Sequence, residues 1–186
     1  MVILRLQSPD HPAIKNLFQQ ADHRSASLYP GLDRSGTSAQ HLIAQGARFF
    51  AACDKTSGQI VGCGGYVPML IPMPDHGTEI SGMLPSLPAA GQGAGTVEIK
   101  RLFVDPLARR QGVARQIMVC IEDNARKSGY QAIYLETGVK STAAILLYQS
   151  LGFVRCVPFG PYQDDENSVF MRKPLVAENT ITEAFT

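Results

Sequence analysis

One short stretch between a predicted strand and a predicted long helix decides the fold, and it reads Arg109-Arg110-Gln111-Gly112-Val113-Ala114. A turn at this point directs several free backbone N–H groups, and the positive end of the helix dipole, toward one place. Such a place binds anions, most often phosphate. Gly112 lets a bulky diphosphate approach the backbone, and small Ala114 keeps the start of the helix open. The two arginines of the stretch, with Arg115, add charge-assisted contacts. An ordinary basic loop that caps a helix is the alternative explanation.

The segments on both sides of this turn alternate between strand-like and helix-like patterns. They predict strands over 2–6, 48–53, 59–70, 96–104, 132–136, 153–157 and 168–172. They predict helices near 14–21 and 39–45, and over 113–127 and 141–151. Strands that are joined through helices need a partly parallel sheet with covered faces. The sequence therefore predicts an α/β fold with a mixed sheet flanked by helices, as a single domain over 1–174 with a C-terminal tail over 175–186.

The composition excludes several classes of function. The chain has 186 residues, with 17 Lys+Arg against 16 Asp+Glu, so a nucleic-acid partner is not expected. The cysteines form no C-x-x-C pair and the histidines no i, i+4 pair, so no metal site is expected. The N-terminus reaches Arg5 too soon for a signal peptide, and no apolar run is long enough to span a bilayer. These features predict a cytoplasmic protein with free thiols and no membrane partner.

A resemblance to a known family is carried by four motifs at their spacing. They are Val97-Glu98-Ile99-Lys100-Arg101-Leu102-Phe103-Val104, the turn with its Arg/Gln-x-x-Gly-x-Gly/Ala pattern, Leu135-Glu136-Thr137-Gly138, and Ala144-Ile145-Leu146-Leu147-Tyr148-Gln149-Ser150-Leu151-Gly152-Phe153. With these motifs, residues 96–175 resemble the acetyl-CoA-binding half of the GCN5-related N-acetyltransferase (GNAT) superfamily. The turn alone is weakly specific. The turn followed at family spacing by a Tyr-x-x-x-Gly-Phe helix end is strongly specific.

The resemblance implies a GNAT fold, in which the strand before the turn separates from its neighbour, and acetyl-CoA as the acyl donor. Free backbone groups at the end of that strand would hold the pantetheine arm, and the amides of residues 110–115 would hold the diphosphate. Thr142 stands in a stretch where many relatives carry an Asn, so only a hydroxyl is available there. The implied cofactor-binding residues are Leu102, Phe103, Val104, Arg109, Arg110, Gln111, Gly112, Val113, Ala114, Arg115 and Thr142.

The reaction implied by the resemblance is direct attack of an amine on the thioester. A backbone N–H near Leu102 or Phe103 would polarise the acetyl carbonyl. Tyr148 matches the family's tyrosine near the thioester sulfur, as a general acid; a core tyrosine on an amphipathic helix is the alternative. Glu98 stands where relatives often place a base, and Glu136 is a second candidate.

An ion pair of Glu98 with Lys100 or Arg101 is an equal alternative to a role as base. Successive side chains of a β-strand point to opposite faces of the sheet. One face then carries Glu98, Lys100 and Leu102. The opposite face carries Val97, Ile99 and Phe103.

The acceptor is not identified by any motif. By resemblance, acceptor pockets are built from the first helices and variable loops, here residues 25–38 and 71–95. As acceptor we favour a primary amine of a small molecule over a protein N-terminus or lysine. The alternative to an enzyme is a non-catalytic module that binds acyl-CoA. The acids in Asp164-Asp165-Glu166 suit a cationic amine, but they also fit an ordinary solvated turn. Assembly as a homodimer stays open.

Overall fold

The computed structural model describes residues 1–69 and 95–175. Its strands are β1 (Val2–Leu6), β2 (Arg48–Asp54), β3 (Ile60–Met69), β4 (Thr96–Val104), β5 (Ala132–Gly138), β6 (Val154–Arg155) and β7 (Ser168–Pro174). Its α-helices are α1 (Pro12–Leu28), α2 (Ala39–Ala44), α3 (Val113–Lys127) and α4 (Thr142–Ser150). The predicted bounds of β1, β4 and α3 are confirmed, whereas the strand predicted over 153–157 is reduced to β6. Among these helices, none has the length and apolar character that crossing a membrane requires.

The strands form one sheet in the order β1-β2-β3-β4-β5-β7-β6. Every neighbouring pair is antiparallel except β4 and β5, which are parallel. The register between β4 and β5 ends at the pair Glu98–Tyr134, although β4 continues to Val104 and β5 to Gly138. The two strands therefore separate beyond Glu98. This arrangement confirms the predicted α/β fold with a mixed, splayed sheet flanked by helices.

A bulge interrupts β4 at the point where it leaves β5. Cys63 of β3 is opposite Phe103, and Gly65 is opposite Lys100, so β4 contains one residue more than β3 between these pairs. Arg101 lies in this segment with a left-handed backbone, at a φ of 58°. An extra residue bends a strand and breaks the regular alternation of its side chains. The bulge thus bends β4 where the sheet opens.

The bulge makes our prediction for the end of β4 wrong. We placed Leu102 on the face of Glu98 and Phe103 on the face of Ile99. In the structure, Leu102 packs against the same hydrophobic cluster as Ile99, and Phe103 packs against the other cluster. The physical reason is the additional residue, which exchanges the two faces after Arg101.

Two hydrophobic clusters hold the helices against the two faces of the sheet. Phe49 and Phe50, neighbours on β2, belong to different clusters, so the clusters lie on opposite faces. The cluster of Phe50 contains α3, and the cluster of Phe49 contains residues of α1 and α2. The predicted stripe of α3 is buried in the first of these, through Val113, Ile117, Ile121 and Ala125. Both faces are therefore covered, as a partly parallel sheet requires.

The C-terminal end of the described chain is packed against the sheet. Leu175 is buried, and its N–H donates to the carbonyl of Gln131 at 2.7 Å. The tail predicted over 175–186 thus has its first residue in the core, and its residues 176–186 lie outside the described part. The long loop predicted over 71–95 also lies outside it, except for Gly95.

Candidate active site

A cavity of about 950 Å³ opens where β4 and β5 separate. At one end lies the turn that precedes α3, which we call the turn end. At the other, which we call the far end, lie residues 33–37 and Tyr162. The second half of α1 also lines the cavity, and its Arg24 lies near Arg109 of the turn end. The backbone of β4 beyond Glu98 has no partner in β5, and unpaired backbone groups need another hydrogen-bond partner. The cavity wall between the two ends therefore offers backbone groups to an extended polar ligand.

The turn end presents free N–H groups. Gly112 is the N-cap of α3, with a φ of 74°, and no side chain caps this end of the helix. Arg110 is also left-handed, with a φ of 61°, so the backbone turns sharply twice before the helix begins. A Cβ at Gly112 would meet no atom within 4 Å, so the space before the helix is open. Uncapped amides that face open space are suited to an anion.

Arginines surround the turn end. Arg109 Nε donates to the carbonyl of Val104 at 3.1 Å, and Arg115 donates to Ser150 Oγ at 2.6 Å. Burial lowers the pKa of Arg109, and the nearby charge of Arg24 on α1 lowers it further. Arg24 and Arg109 both line the cavity. Because an anionic ligand would relieve the repulsion between these two like charges, the electrostatics favour one.

Most of the predicted cofactor-binding residues line the cavity, namely Leu102, Phe103, Val104, Arg109, Arg110, Gly112, Val113, Ala114 and Arg115. Gln111 and Thr142 do not. The side chain of Gln111 donates instead to the carbonyl of Leu107 at 3.4 Å, and Ser141, the residue before Thr142, lines the cavity. The structure thus gathers these residues at one cleft, and their contacts with a cofactor stay predictions.

Glu98 is buried at the far end and belongs to a three-membered hydrogen-bonded group. Its Oε1 accepts from Lys100 Nζ at 2.7 Å and from the Tyr162 hydroxyl at 2.6 Å. Lys100 Nζ also donates to the Tyr162 hydroxyl at 3.0 Å. The Glu98–Lys100 ion pair, one of the alternatives for Glu98, is therefore present, whereas Arg101 pairs with Asp22. Glu98 nevertheless lines the cavity, so a role as base stays a prediction.

Tyr148 lines the cavity from α4 and is itself buried. Its ring packs against Phe153, with 5.9 Å between the ring centroids. Burial raises the pKa of the Tyr148 phenol, and the charge of Glu136 raises it further. The phenol therefore stays protonated at neutral pH, which is the state that a general acid requires.

Known proteins share the sequence pattern and the fold of this chain. A family model described as the acetyltransferase (GNAT) family matches residues 12–153. The chain belongs to this family. It is 34% identical over 174 residues to an IAA acetyltransferase of Azospirillum brasilense, which covers 94% of this chain and 98% of that protein. The chain is therefore an acetyl-CoA-dependent N-acetyltransferase.

Solved GNAT structures have the same architecture. A Klebsiella pneumoniae protein assigned to the acyl-CoA N-acyltransferases is similar with a TM-score of 0.69 and 28% identity, over 95% of this chain and 99% of that one. A GNAT acetyltransferase of Elizabethkingia anophelis with acetyl-CoA bound matches in fold, with a TM-score of 0.60 and 16% identity, over 93% and 97% of the chains.

This GNAT enzyme carries an ion-pair network at the far end that sequence reasoning missed. Arg34 donates to Glu136 Oε1 at 2.5 Å, to Asp165 Oδ2 at 3.0 Å and to Ser168 Oγ at 3.0 Å. Its guanidinium carbon lies 4.9 Å from the centroid of the Tyr29 ring. These partners are far apart in the sequence, so no local pattern points to them. The only available signal was the position of Arg34 within residues 25–38, the stretch predicted to form the acceptor pocket.

The acidic turn 164–166 contributes one of its three acids to the cavity of the GNAT enzyme. Asp165 lines the cavity, and its carboxylate is paired with Arg34. The side chains of Asp164 and Glu166 are exposed and do not line the cavity. The turn is therefore mainly solvated, which was one of the two explanations that the sequence left open.

The thiols of the enzyme do not line the cleft, although the Cys63 thiol donates to the carbonyl of Arg101 at 3.7 Å. All four cysteines are within the described residues and are free, and none of them lines the cavity. Burial raises the pKa of the Cys63 thiol to about 12. Within residues 1–69 and 95–175, no group of three or more His, Cys, Asp or Glu is placed to hold a metal ion.

Proposed function

We propose that this enzyme transfers the acetyl group of acetyl-CoA to a primary amine of a small molecule, which attacks the thioester directly. The observation that carries the proposal is one continuous cavity, which joins the uncapped turn before α3 to the buried Glu98. Acetyl-CoA, the donor, would bind at the turn end, and the acceptor amine would bind at the far end. They would meet where β4 and β5 separate.

The residues at the turn end fit acetyl-CoA. The open space before Gly112, the uncapped amides of α3 and the surrounding arginines match a diphosphate in size and charge. We propose that these groups hold the diphosphate, and that the unpaired backbone of β4 from Leu102 to Val104 holds the pantetheine arm. Acetyl-CoA supplies an activated acetyl thioester when it is bound. A backbone N–H at Leu102 or Phe103 would polarise the carbonyl of that group.

The protons are handled by two side chains in this proposal. Glu98 accepts the proton of the amine, and Lys100 and Tyr162 hold its carboxylate in place. Tyr148, which stays protonated because it is buried, gives a proton to the sulfur that leaves. Glu136 is the second candidate for the base, but its Oε1 is already engaged by Arg34 and Ser168.

The charges at the far end favour a small amine with few charges as the acceptor. Three carboxylates of this end are paired with cations of the protein itself, since Glu98 pairs with Lys100, and both Glu136 and Asp165 pair with Arg34. Asp33, which is exposed, accepts hydrogen bonds from Ser35 instead. Apart from Asp33, these pairs leave little uncompensated negative charge to select a polyamine or a lysine-rich peptide. A cavity of about 950 Å³ that must also hold part of the cofactor lies within the usual range for small-molecule sites.

The experiment that tests the proposal measures thiol release from acetyl-CoA with a panel of acceptors. The panel contains amino acids, aromatic and aliphatic monoamines, amino sugars and polyamines, together with peptides that carry a free N-terminus or a lysine. We expect release with at least one small monoamine. Activity on peptides alone would refute the small-molecule acceptor. Calorimetric binding of acetyl-CoA without turnover on any acceptor would favour the non-catalytic module instead.

A further inference from the structure

Arg101 joins three separate parts of the chain beside the cleft. Its side chain is only 6% exposed, and its two terminal nitrogens donate to the two carboxylate oxygens of Asp22 on α1, at 2.5 and 3.2 Å. Its guanidinium carbon lies 4.0 Å from the centroid of the Phe18 ring, also on α1. The N–H of Gly36 donates to the same Asp22 carboxylate at 3.1 Å. Arg101 thus attaches the bulge of β4 to α1 and to the loop that contains Gly36.

Several features of this arrangement are unfavourable for stability. Arg101 is a non-glycine residue with a left-handed backbone, at a φ of 58°. Its Nε is buried and has no hydrogen-bond partner among the described residues. A Cβ at Gly36 would collide with the Arg101 guanidinium, so the loop accepts this contact only with a glycine. An apolar side chain would fill the same space without burying a charge. Strain of this kind concentrates at functional sites.

The backbone of Leu102, next to Arg101, has no partner in the sheet. It has no register partner in β3 because of the bulge, and none in β5 because the strands have separated. Regular sheet pairing therefore does not determine the direction of the Leu102 amide. The bulge is held by the packing of the Leu102 side chain, by a weak hydrogen bond from the Cys63 thiol to the Arg101 carbonyl at 3.7 Å, and by the ion pair of Arg101 with α1, which is the strongest of these contacts.

We propose that Arg101 is a positioning residue, which holds the bulge of β4 against α1 and thereby fixes the direction of the Leu102 amide in the cleft. This inference rests on the proposed function, in which that amide is one of the two candidates to polarise the acetyl carbonyl. Because Asp22, Gly36 and Arg101 all line the cavity, the same contact also ties the wall of the far end to the site of the thioester. Acceptor binding and carbonyl polarisation then depend on one ion pair.

The test compares Arg101→Lys and Asp22→Asn with a matched control. Lysine keeps the charge but loses the planar fork, and asparagine keeps the shape but loses the charge. The control is Glu122→Gln, which breaks another largely buried ion pair, Glu122–Lys173, whose two residues do not line the cavity. Three quantities are measured: the ¹⁵N order parameters of Leu102 and Phe103 in the free protein, the calorimetric Kd for acetyl-CoA, and kcat with the best amine of the panel.

We expect both variants at the Arg101–Asp22 pair to lower the order parameter of Leu102 from about 0.85 toward 0.6, the range of flexible backbone, with a smaller change at Phe103, which stays paired with Cys63. We expect kcat to fall about 10- to 100-fold, since small misplacements of reacting groups have effects of this size. The Kd for acetyl-CoA should rise by a smaller factor than kcat falls, because the diphosphate contacts at the turn end remain while only the pantetheine contacts near Leu102 are loosened. Glu122→Gln should lower the Tm and leave the order parameters and kcat unchanged.

Two results would overturn the inference: a wild-type order parameter at Leu102 in Asp22→Asn, or a loss of kcat no larger than that of Glu122→Gln. If Arg101→Lys does not fold, Asp22→Asn decides, because it leaves the Arg101 stack on Phe18 in place. Failure of the wild-type enzyme to bind acetyl-CoA would refute the proposed function instead. The order parameters would still show whether Arg101 fixes the bulge.

Discussion

Replacing Gly112 by valine should separate the strain of the backbone from the loss of the cofactor. Gly112 has a φ of 74°, and a Cβ there meets no atom within 4 Å, so we expect the substitution to cost mainly conformational strain in the free protein. That strain is about 1–3 kcal/mol. A chain of this size loses about 2–4 °C of Tm per kcal/mol, so we expect a fall of about 2–12 °C. Gly46 provides a matched control, because it has a φ of 70°, open surroundings and no contact with the cavity.

Acetyl-CoA then distinguishes the two variants. At about 100 times the Kd, a ligand that binds only the folded state adds about 2.7 kcal/mol, which corresponds to about 5–11 °C in Tm. We expect this increase, measured by scanning calorimetry, in the wild type and in Gly46→Val. In Gly112→Val the isopropyl group fills the space before α3, and the increase should fall below about 2 °C. A full increase in Gly112→Val would show that the diphosphate does not bind at this turn.

Three further substitutions test the chemistry and the core. Tyr148→Phe should lower kcat on the order of 10²–10⁴-fold with nearly unchanged Kd for acetyl-CoA, because the ring still packs against Phe153. Glu98→Gln should lower turnover most at low pH, where few free amines are neutral, and higher pH should restore part of the rate. The raised pKa of Cys63, about 12 against 9.0 for an ordinary thiol, predicts that the free energy of unfolding falls as the pH rises above 9. Urea denaturation should show a weaker fall between pH 9 and 10 in Cys63→Ala.

Each of these expectations has a contrary result. Full activity in Tyr148→Phe would leave water as the proton donor and Tyr148 as a packing residue. A Glu98→Gln enzyme with wild-type rates across the pH range would remove Glu98 from the mechanism, and Glu136→Gln would be the next variant. An unchanged pH dependence of unfolding in Cys63→Ala would mean that other groups, such as the buried tyrosines, cause the fall.

The parts of the fold that local signals control could be predicted from the sequence. The bounds of α3 follow from Gly112 before the helix and Gly129 after it, and both glycines adopt the left-handed backbone that such ends require. The end of β4 could not be predicted in the same way. A left-handed Arg101 has no signature in the sequence, and the residues that its side chain contacts, Asp22 and Phe18, are remote in the chain.

The same difference between local signals and contacts of remote residues applies to the site. The turn end could be predicted because its amides and arginines come from one continuous segment. The far end is assembled from distant residues, such as Arg34 with Glu136, and Tyr162 with Glu98. Part of the stretch 25–38, which the sequence predicts to form the acceptor pocket, lines this end, but the pairing of its carboxylates with cations depends on tertiary contacts. For that reason the charge of the far end could not be predicted from the sequence.

The short ladder between β4 and β5 limits how this enzyme can be engineered for stability. Three residue pairs join the two halves of the sheet, and beyond them β4 and β5 no longer pair with each other. Extending this ladder by new hydrogen bonds would be an obvious way to raise the Tm, but it would close the opening in which we propose that both substrates meet. The gain in stability would therefore be obtained at the expense of turnover. Thermostabilising substitutions are better directed to the packing of α3 against the sheet, where the chain can become more rigid without losing its opening.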